Sequence, residues 1–469
     1  MSDISIVNSH YVVSKERLDA EYYRQSFLEV ERKLSNLPCE RLKCLAESIE
    51  KGIFYILAEE YQTSGIPFLR VSNIGNPFIE KKDLVYISPE KNAEHKSTSL
   101  KPEDVVISKG GTIGYVAIIT PDIGVCNISQ DIIGVKNIKK AKISPYFLTI
   151  FLLTKYGQNQ LLRGRSQQVQ AHLTLDIVRN LLIPILPEDF QLHIEQFIKQ
   201  AYEKRKLADQ KYQQIEEKFY ELLGIGREEI EKLEIEKVYE TNFKEVRQAF
   251  RFDAEHYHPK YYFLNRIFEK LPSITLGDNK YFELKKGIEV GSNVYCDKEK
   301  GVLFLRVSNL TKEGLKINPV DKYILKGIYN KLKSMYEPKK GEVLFSKDGT
   351  IGTAVVVDSD FPPSIISGGI VRIYIKKDFD PYYLAFVLNS IITELQIMKE
   401  KTGSVIEHLR FSKLKEIRVP KFPQTQQQEI AELVKDYLKL RKESRQLVQR
   451  AIREVEEAIE NAQRTDGEQ

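Results

Sequence analysis

The sequence predicts an α+β chain in which two similar β-rich units stand in tandem, each followed by a long helix. Three observations lead there. The hexapeptide Phe68-Leu69-Arg70-Val71-Ser72-Asn73 returns unchanged as Phe304-Leu305-Arg306-Val307-Ser308-Asn309, 236 residues later. Short β-branched runs broken by glycine follow each copy. Beyond each β-rich stretch, apolar residues recur at alternating steps of three and four, the spacing of a helix seam.

The repeat extends well past the hexapeptide. Arg17-Leu-Asp-Ala-Glu-Tyr22 matches Arg251-Phe-Asp-Ala-Glu-His256, and Ser108-Lys-Gly-Gly-Thr-Ile-Gly114 matches Ser346-Lys-Asp-Gly-Thr-Ile-Gly352. Further along, Pro145-Tyr-Phe-Leu148 pairs with Pro381-Tyr-Tyr-Leu384, His172-Leu173 with His408-Leu409, and Pro184 and Pro187 with Pro420 and Pro423. Such self-similarity marks two copies of one fold. Each copy opens with a helix. Strand-forming runs at residues 105–107, 115–119 and 354–357 then lie between glycine turns, which suggests a compact barrel-like sheet. After Pro145 and Pro381 the apolar pattern lengthens to that of a helix, over residues 146–153 and 382–395, so each unit mixes α and β.

The closing helices are the clearest elements. The first presents Ile194, Ile198, Ala201, Ala208, Tyr212, Ile215, Phe219 and Leu222, interrupted only by Arg205, and ends at Gly224 and Gly226. Its counterpart presents Ile430, Val434, Tyr437, Leu440, Leu447, Ala451 and Val455 after a glutamine-rich start. Isolated helices of this kind are marginal in water, so each needs a partner. The other seam is the obvious one, and packing onto the helix's own unit is the alternative. The expected divisions are 1–187, a helix at 188–224, 225–423, a second helix at 424–463, and a polar tail at 464–469.

Composition limits the function classes. The chain has 469 residues, 42% of them hydrophobic and 29% charged, which excludes disordered and fibrous classes. Four cysteines, Cys39, Cys44, Cys126 and Cys296, have neither C-x2-C spacing nor neighbouring histidines, so no metal site is expected, and they read as reduced, mostly buried thiols. No signal-peptide run and no stretch of 18 apolar residues occurs, so the chain reads as soluble and cytoplasmic, with no membrane partner. The net charge of +5 is unevenly shared. Residues 188–223 carry six basic and eight acidic groups, and residues 424–463 seven and eight. The β-rich units therefore hold about +8 between them, the sign needed by units that touch phosphate.

Two β-rich units carrying F-L-R-V-S-N and S-K-x-G-T-I-G, each leading through P-x-x-x-Q or Q-x-Q-x-x-I into a long amphipathic helix, closely resemble the specificity (S) subunit of type I restriction-modification systems. The resemblance spans about residues 11–463. It implies that each unit is a target recognition domain reading one half of a split site in double-stranded DNA. It also implies that the helices pair as an antiparallel coiled coil and dock two methyltransferase (M) subunits, with restriction (R) subunits in the full complex. No cofactor is expected on this chain; S-adenosylmethionine would sit on the methyltransferase. Because the copies diverge between their framework residues, the expected target is asymmetric. The other readings are a recognition module of a different methyltransferase or restriction assembly, and a coiled-coil scaffold with no DNA role.

Candidate DNA contacts fall into two groups. The shared turns offer Lys109, Thr112, Lys347 and Thr350 on glycine loops suited to phosphate, against a purely structural hairpin. Arg70 and Arg306 fit guanine, phosphate or a structural hydrogen-bond hub equally well. Specificity is expected where the copies differ. Arg163, Arg165, Gln167, Gln168 and Gln170 align with a segment holding Lys399, Lys401 and Ser404; glutamine amides suit adenine edges, and a plain solvated loop is the rival. Lys81, Lys82, Lys312 and Lys316 follow the hexapeptides, and His172 and His408 read as framework.

Catalysis is not expected. Asp380-Pro-Tyr-Tyr383 imitates an amino-methyltransferase loop, but its repeat partner Ser144-Pro-Tyr-Phe147 lacks the aspartate, so the shared feature is a helix start with proline in its first turn. No phosphate-binding G-x4-G-K-[ST] loop occurs, and the carboxylate group Asp278, Glu283 with Lys285 has no counterpart in the first half.

Overall fold

The computed structural model describes residues 5–15, 18–56, 58–163, 172–231, 240–318, 320–400 and 408–462. The chain divides into two compact units: residues 1–205 with 442–469, and residues 206–441. Each long helix contributes one part to either unit.

In the first unit, strands β1 (Ala46–Lys51), β2 (Ile66–Leu69), β3 (Val85–Ile87), β4 (Val105–Ser108), β5 (Val116–Ile118), β6 (Asn127–Ile128) and β7 (Ile132–Ile138) form two sheets. One is antiparallel, in the order β1-β7-β4-β5; the other runs β3-β2-β6, with β2 and β6 parallel. Two small sheets thus replace the single barrel that the sequence suggests. The short strands leave β2 and β4 in different sheets, and a bridge of Ile53 with Ser129, just past β1 and β6, ties the layers. Between β3 and β4 lies helix α1 (Pro89–Glu94). Helix α2 (Pro145–Leu153) packs against the antiparallel sheet, and helix α3 (Glu188–Leu223) closes the unit. Outside the sheets, Glu40 pairs with Ile183, fastening the start of the unit to its end.

The second unit repeats this plan with β8 (Phe282–Lys286), β9 (Tyr295–Cys296), β10 (Gly301–Leu305), β11 (Tyr323–Leu325), β12 (Val343–Ser346), β13 (Ala354–Val356), β14 (Ser364–Ile366) and β15 (Ile370–Ile375). The sheet orders are β8-β15-β12-β13 and β9-β11-β10-β14, so β9 adds a strand for which the first unit has only an isolated bridge. Helix α4 (Lys326–Tyr336) fills the place of α1, α5 (Pro381–Asn389) that of α2, and α6 (Gln424–Asn461) that of α3. The helix expected over 382–395 stops at Asn389. Ser390 turns back through its Oγ to the carbonyl of Val387 at 2.6 Å, and a new helix begins at Ile391.

Both cores mix globular and helix residues. The first joins Val105, Val116, Phe147 and Phe151 to Ile194, Ile198 and Ala201, and also to Val448, Ala451, Val455 and Ile459 from the far end of the chain. The second joins Phe282, Val343, Phe345 and Tyr383 to Ile215 and Phe219 of α3 and to Ile430 and Val434 of α6. Of the cysteines only Cys126 is buried; Cys44 is exposed and the other two are partly so.

Candidate nucleic-acid interface

The shared S-K-x-G-T-I-G segment is a tight hairpin in both units. Ser108 Oγ donates to the carbonyl of Thr112 at 2.7 Å and accepts from the amide of Tyr115 at 2.9 Å. Ser346 does the same with Thr350 and Thr353, at 2.6 and 2.9 Å. Gly111 and Gly349 both sit at φ +65°, a left-handed conformation that suits glycine. The tips, Thr112 and Thr350, are exposed, but the lysines are not free: Lys109 lies 3.8 Å from Asp131, and Lys347 pairs with Asp348 at 2.5 Å. Burial and nearby Lys51 push the Lys109 ammonium below its usual range, with Asp131 opposing them.

Sequence reasoning missed how that carboxylate is supplied. In the first unit it stands just before β7, opposite Gly110 in the hairpin; in the second it stands in the hairpin as Asp348, opposite Gly369 just before β15. A Cβ at Gly110 would come within 2.4 Å of Asp131 Oδ1, so the two placements exclude each other. The following histidine-leucine pair is also framework. The amides of Leu173 and Leu409 donate to the carbonyls of Lys109 and Lys347 at 3.0 and 2.9 Å, and His408 Nδ1 meets Asp348 at 2.9 Å.

The hexapeptide ends in a one-turn motif. The amides of Arg70 and Arg306 donate to Asn73 and Asn309 Oδ1 at 3.0 and 2.9 Å. The Asn73 side-chain amide in turn donates to the carbonyls of Glu80 and Lys82, and that of Asn309 to Lys316. The Arg70 guanidinium donates to the Asp83 carbonyl, while the Nε atoms of Arg70 and Arg306 are buried with no hydrogen-bond partner among the described residues. Lys81 is held by Asp122 at 2.5 Å and Lys312 donates to the Asn389 carbonyl at 2.8 Å, whereas Lys82 and Lys316 are exposed.

Among the loop candidates, Arg165, Gln167, Gln168, Gln170, Lys401 and Ser404 lie outside the described residues. Arg163 is described, and it faces inward. It pairs with Glu31 at 2.5 Å, donates to the Tyr22 carbonyl and the Tyr11 hydroxyl, and stacks 4.1 Å from the Tyr22 ring centroid. Lys399, its counterpart, lies 5.9 Å from the Tyr261 ring. Arg163 thus fastens the start of its unit, where Tyr11, Tyr22 and Glu31 lie.

The long helices run antiparallel in each unit. In the first, His193 meets Glu454, Ala201 accepts from Ser444, and Lys204 meets Glu443; in the second, Lys211 meets Asp436 and Lys218 meets Glu429. Numbers climb on α3 as they fall on α6. The seam residues are buried or partly so, although Leu223 is buried more deeply than the expected Leu222. Arg205, the one interruption, binds Glu80 at 2.6 Å over the Phe78 ring, and Arg441 at the equivalent place on α6 binds Glu313 and Asp209. Each polar break therefore ties its helix to a globular unit, so pairing and packing onto the unit occur together.

The profile of the type I restriction modification DNA specificity domain matches residues 40–217 and 282–450, once on each copy of the repeat. The chain belongs to that family. The type I restriction enzyme EcoBI specificity subunit of Escherichia coli is 26% identical over 138 residues, which are 29% of this chain and 29% of that protein, so the chain spans under a third of that relative's length in the match. Among solved structures, the S subunit of a type I restriction-modification system from M. genitalium has a TM-score of 0.43 at 13% identity, covering 90% of this chain and 95% of that one. The HsdS subunit from Thermoanaerobacter tengcongensis has a TM-score of 0.28 at 14% identity, with 90% and 95% covered.

As members of a specificity family rather than a catalytic one, both units use their proline motifs structurally. Asp380 Oδ1 accepts from the amides of Tyr382 and Tyr383 and caps α5, as Ser144 Oγ caps α2. The buried glutamines of the P-x-x-x-Q segments complete the joint. Gln191 Oε1 accepts from the Ser144 amide at 2.9 Å and Gln427 Oε1 from the Asp380 amide at 3.1 Å, while their NH2 groups donate to the carbonyls of Leu186 and Phe422. Among the described residues no group of acidic, histidine or cysteine side chains is arranged to hold a metal ion, and no helix is long and apolar enough to cross a membrane.

Proposed function

We propose that this chain is the sequence-reading subunit of a type I restriction-modification assembly. Its two units each read one half of an asymmetric, bipartite site in double-stranded DNA. The observation that carries the reading is that the family profile falls once on each repeat copy, while the copies keep the hairpin, hexapeptide and helix joints and differ in the elements between them. A shared frame with two different exposed surfaces is what two unlike half-sites require. Helices α3 and α6 are the docking surface for two adenine methyltransferase subunits, which hold S-adenosylmethionine, and restriction subunits join that core. The reading places the chain in the cytoplasm.

The test is to express the chain with the methyltransferase encoded beside it and sequence the host's methylated adenines. One interrupted, non-palindromic motif is expected, and methylation at unrelated sites would refute the reading. Gel-shift titration separates it from a DNA-free scaffold, since several phosphate contacts impose a steep loss of affinity as salt rises.

A further inference from the structure

We propose that helix α4 is the reading element of the second unit: Asn330 contacts an adenine edge in the major groove while Lys326, Lys331 and Lys333 hold the flanking phosphates. This rests on the DNA-reading function proposed above, and it names a helix that the repeat and motif comparisons leave without a role.

The helix has two clean faces. Ile328, Tyr329, Leu332 and Tyr336 pack against a small core containing Phe304, Ile324 and Ile365. These positions share one side of a 3.6-residue helix. Opposite them lie Gly327, Asn330 and Ser334, all exposed, and a Cβ added at Gly327 would meet none of the described residues within 4 Å. Lys326, Lys331 and Lys333 are exposed along the borders, and Lys339 and Lys340 follow. The helix itself contains no acidic residue. An outward ridge of glycine, asparagine and serine keeps the profile low, and a helix about 10–12 Å across fits a major groove about 12 Å wide. Asparagine at the centre of that ridge has the donor and acceptor pair that matches adenine N7 and N6.

The mounting is rigid and peculiar to this unit. Buried Arg372 donates from Nε and Nη2 to Glu342 at 2.8 and 2.6 Å, and its Nη1 donates to the carbonyl of Met335 in the last turn of α4 at 2.8 Å. Arg372 stands opposite Leu344 on β12; the equivalent place opposite Val106 on β4 is Gly134. The first unit therefore lacks this anchor. It also lacks the helix: between strands at equivalent positions its segment folds as six-residue α1 and a separate turn at Lys96–Thr98. There Asn92 is turned inward, accepting from Asn127 at 3.0 Å, and Lys91 is neutralised by Glu60 and Glu94. A common frame thus carries a basic, outward-facing helix in one copy and a charge-balanced, inward-tied segment in the other.

The experiment uses the complete assembly. The methylated motif is first defined with the unaltered chain, then with Asn330→Ala, and affinity is measured on a duplex carrying that motif. The expected result is loss of preference at one A·T position of one half-site, the other half-site unchanged, with affinity for the motif falling about 5- to 150-fold. Lys331→Ala with Lys333→Ala should weaken binding to all sequences alike and reduce the slope of log affinity against log salt by roughly two contacts' worth. Melting of each variant checks that these exposed changes leave the fold intact. If the unaltered assembly marks one bipartite motif and Asn330→Ala keeps every position, the assignment to α4 is overturned and the function stands. If the unaltered assembly marks no defined motif, both fall.

Discussion

Replacing Arg372 with methionine removes a cation from one of the most enclosed ion pairs in the chain. The side chains of Arg372 and Glu342 are 5% and 4% exposed, and two charge-assisted hydrogen bonds join them. Among the described residues, the substitution leaves the buried Glu342 carboxylate with only the Lys339 amide, at 2.8 Å, as a partner. Breaking a buried pair from one side costs about 3–5 kcal/mol, because the surviving charge is stranded. The lost bond to Met335 also releases the last turn of α4, about 1 kcal/mol more. Since the chain has no tryptophan, hydrogen exchange read by mass spectrometry is the better assay, with first-unit peptides as the internal control. Protection of α4 and β12 should fall by roughly 10²- to 10⁴-fold, while β4 and β7 stay as they were. Pairing Arg372→Met with Glu342→Leu should recover most of the loss, because apolar replacement of both partners removes the stranded charge. A single-variant cost under about 1 kcal/mol, or a double variant no better than the single, would refute the reasoning.

Three further outcomes are expected. Arg205→Ala should loosen the first unit and Arg441→Ala the second, each by about 1–3 kcal/mol, with the larger cost at Arg441, which serves both Glu313 and Asp209; exchange mapped by unit checks this. Burial alone would raise the Asp122 carboxyl, but hydrogen bonds from Lys81, Thr120 and Tyr202 outweigh it and draw it down from 3.8 to about 2. A lowered folded-state value stabilises above the unfolded one, so this contribution is full above about pH 5 and vanishes as pH falls through 2. Asp122→Asn should remove about 1–2 kcal/mol near neutrality and flatten the acid limb of the melting profile. Finally, alanine at Gly111 or Gly349 should cost about 1–2 kcal/mol because φ is +65° there, whereas Gly327→Ala, in open space on α4, should raise the melting temperature.

What could be read in advance follows from range along the chain. The duplication, the glycine hairpins, the proline-led helix starts and the α3 and α6 seams are local or periodic signals, and they survive in the structure with small shifts, as where Leu223 displaces Leu222. Roles that depend on distant partners did not show. Arg163 lies in a loop-like, basic segment, yet Tyr11, Tyr22 and Glu31, more than a hundred residues away, draw it inward. Arg205 looks like a flaw in a seam until Glu80 is placed beside it. Helix α4 gives little sign of itself in the sequence because five apolar residues among lysines make a weak stripe, and its anchor is a single arginine on a strand that follows it. The exchange of carboxylates between Gly110–Asp131 and Asp348–Gly369 is visible only when two strands are aligned in space.

The first core is completed by Val448, Ala451, Val455 and Ile459, which are made only after the whole of the second unit. During synthesis, at about 5–20 residues per second, the first unit's own residues leave the ribosome tens of seconds before these arrive. Through that interval Ile194, Ile198 and Ala201 have no cover from α6, whereas the second unit, which draws on α3, finds its partner already made. A message truncated between codons 441 and 448 would therefore yield a chain whose earlier unit, not its later one, is defective. The first unit is the part that waits on residues made after the second.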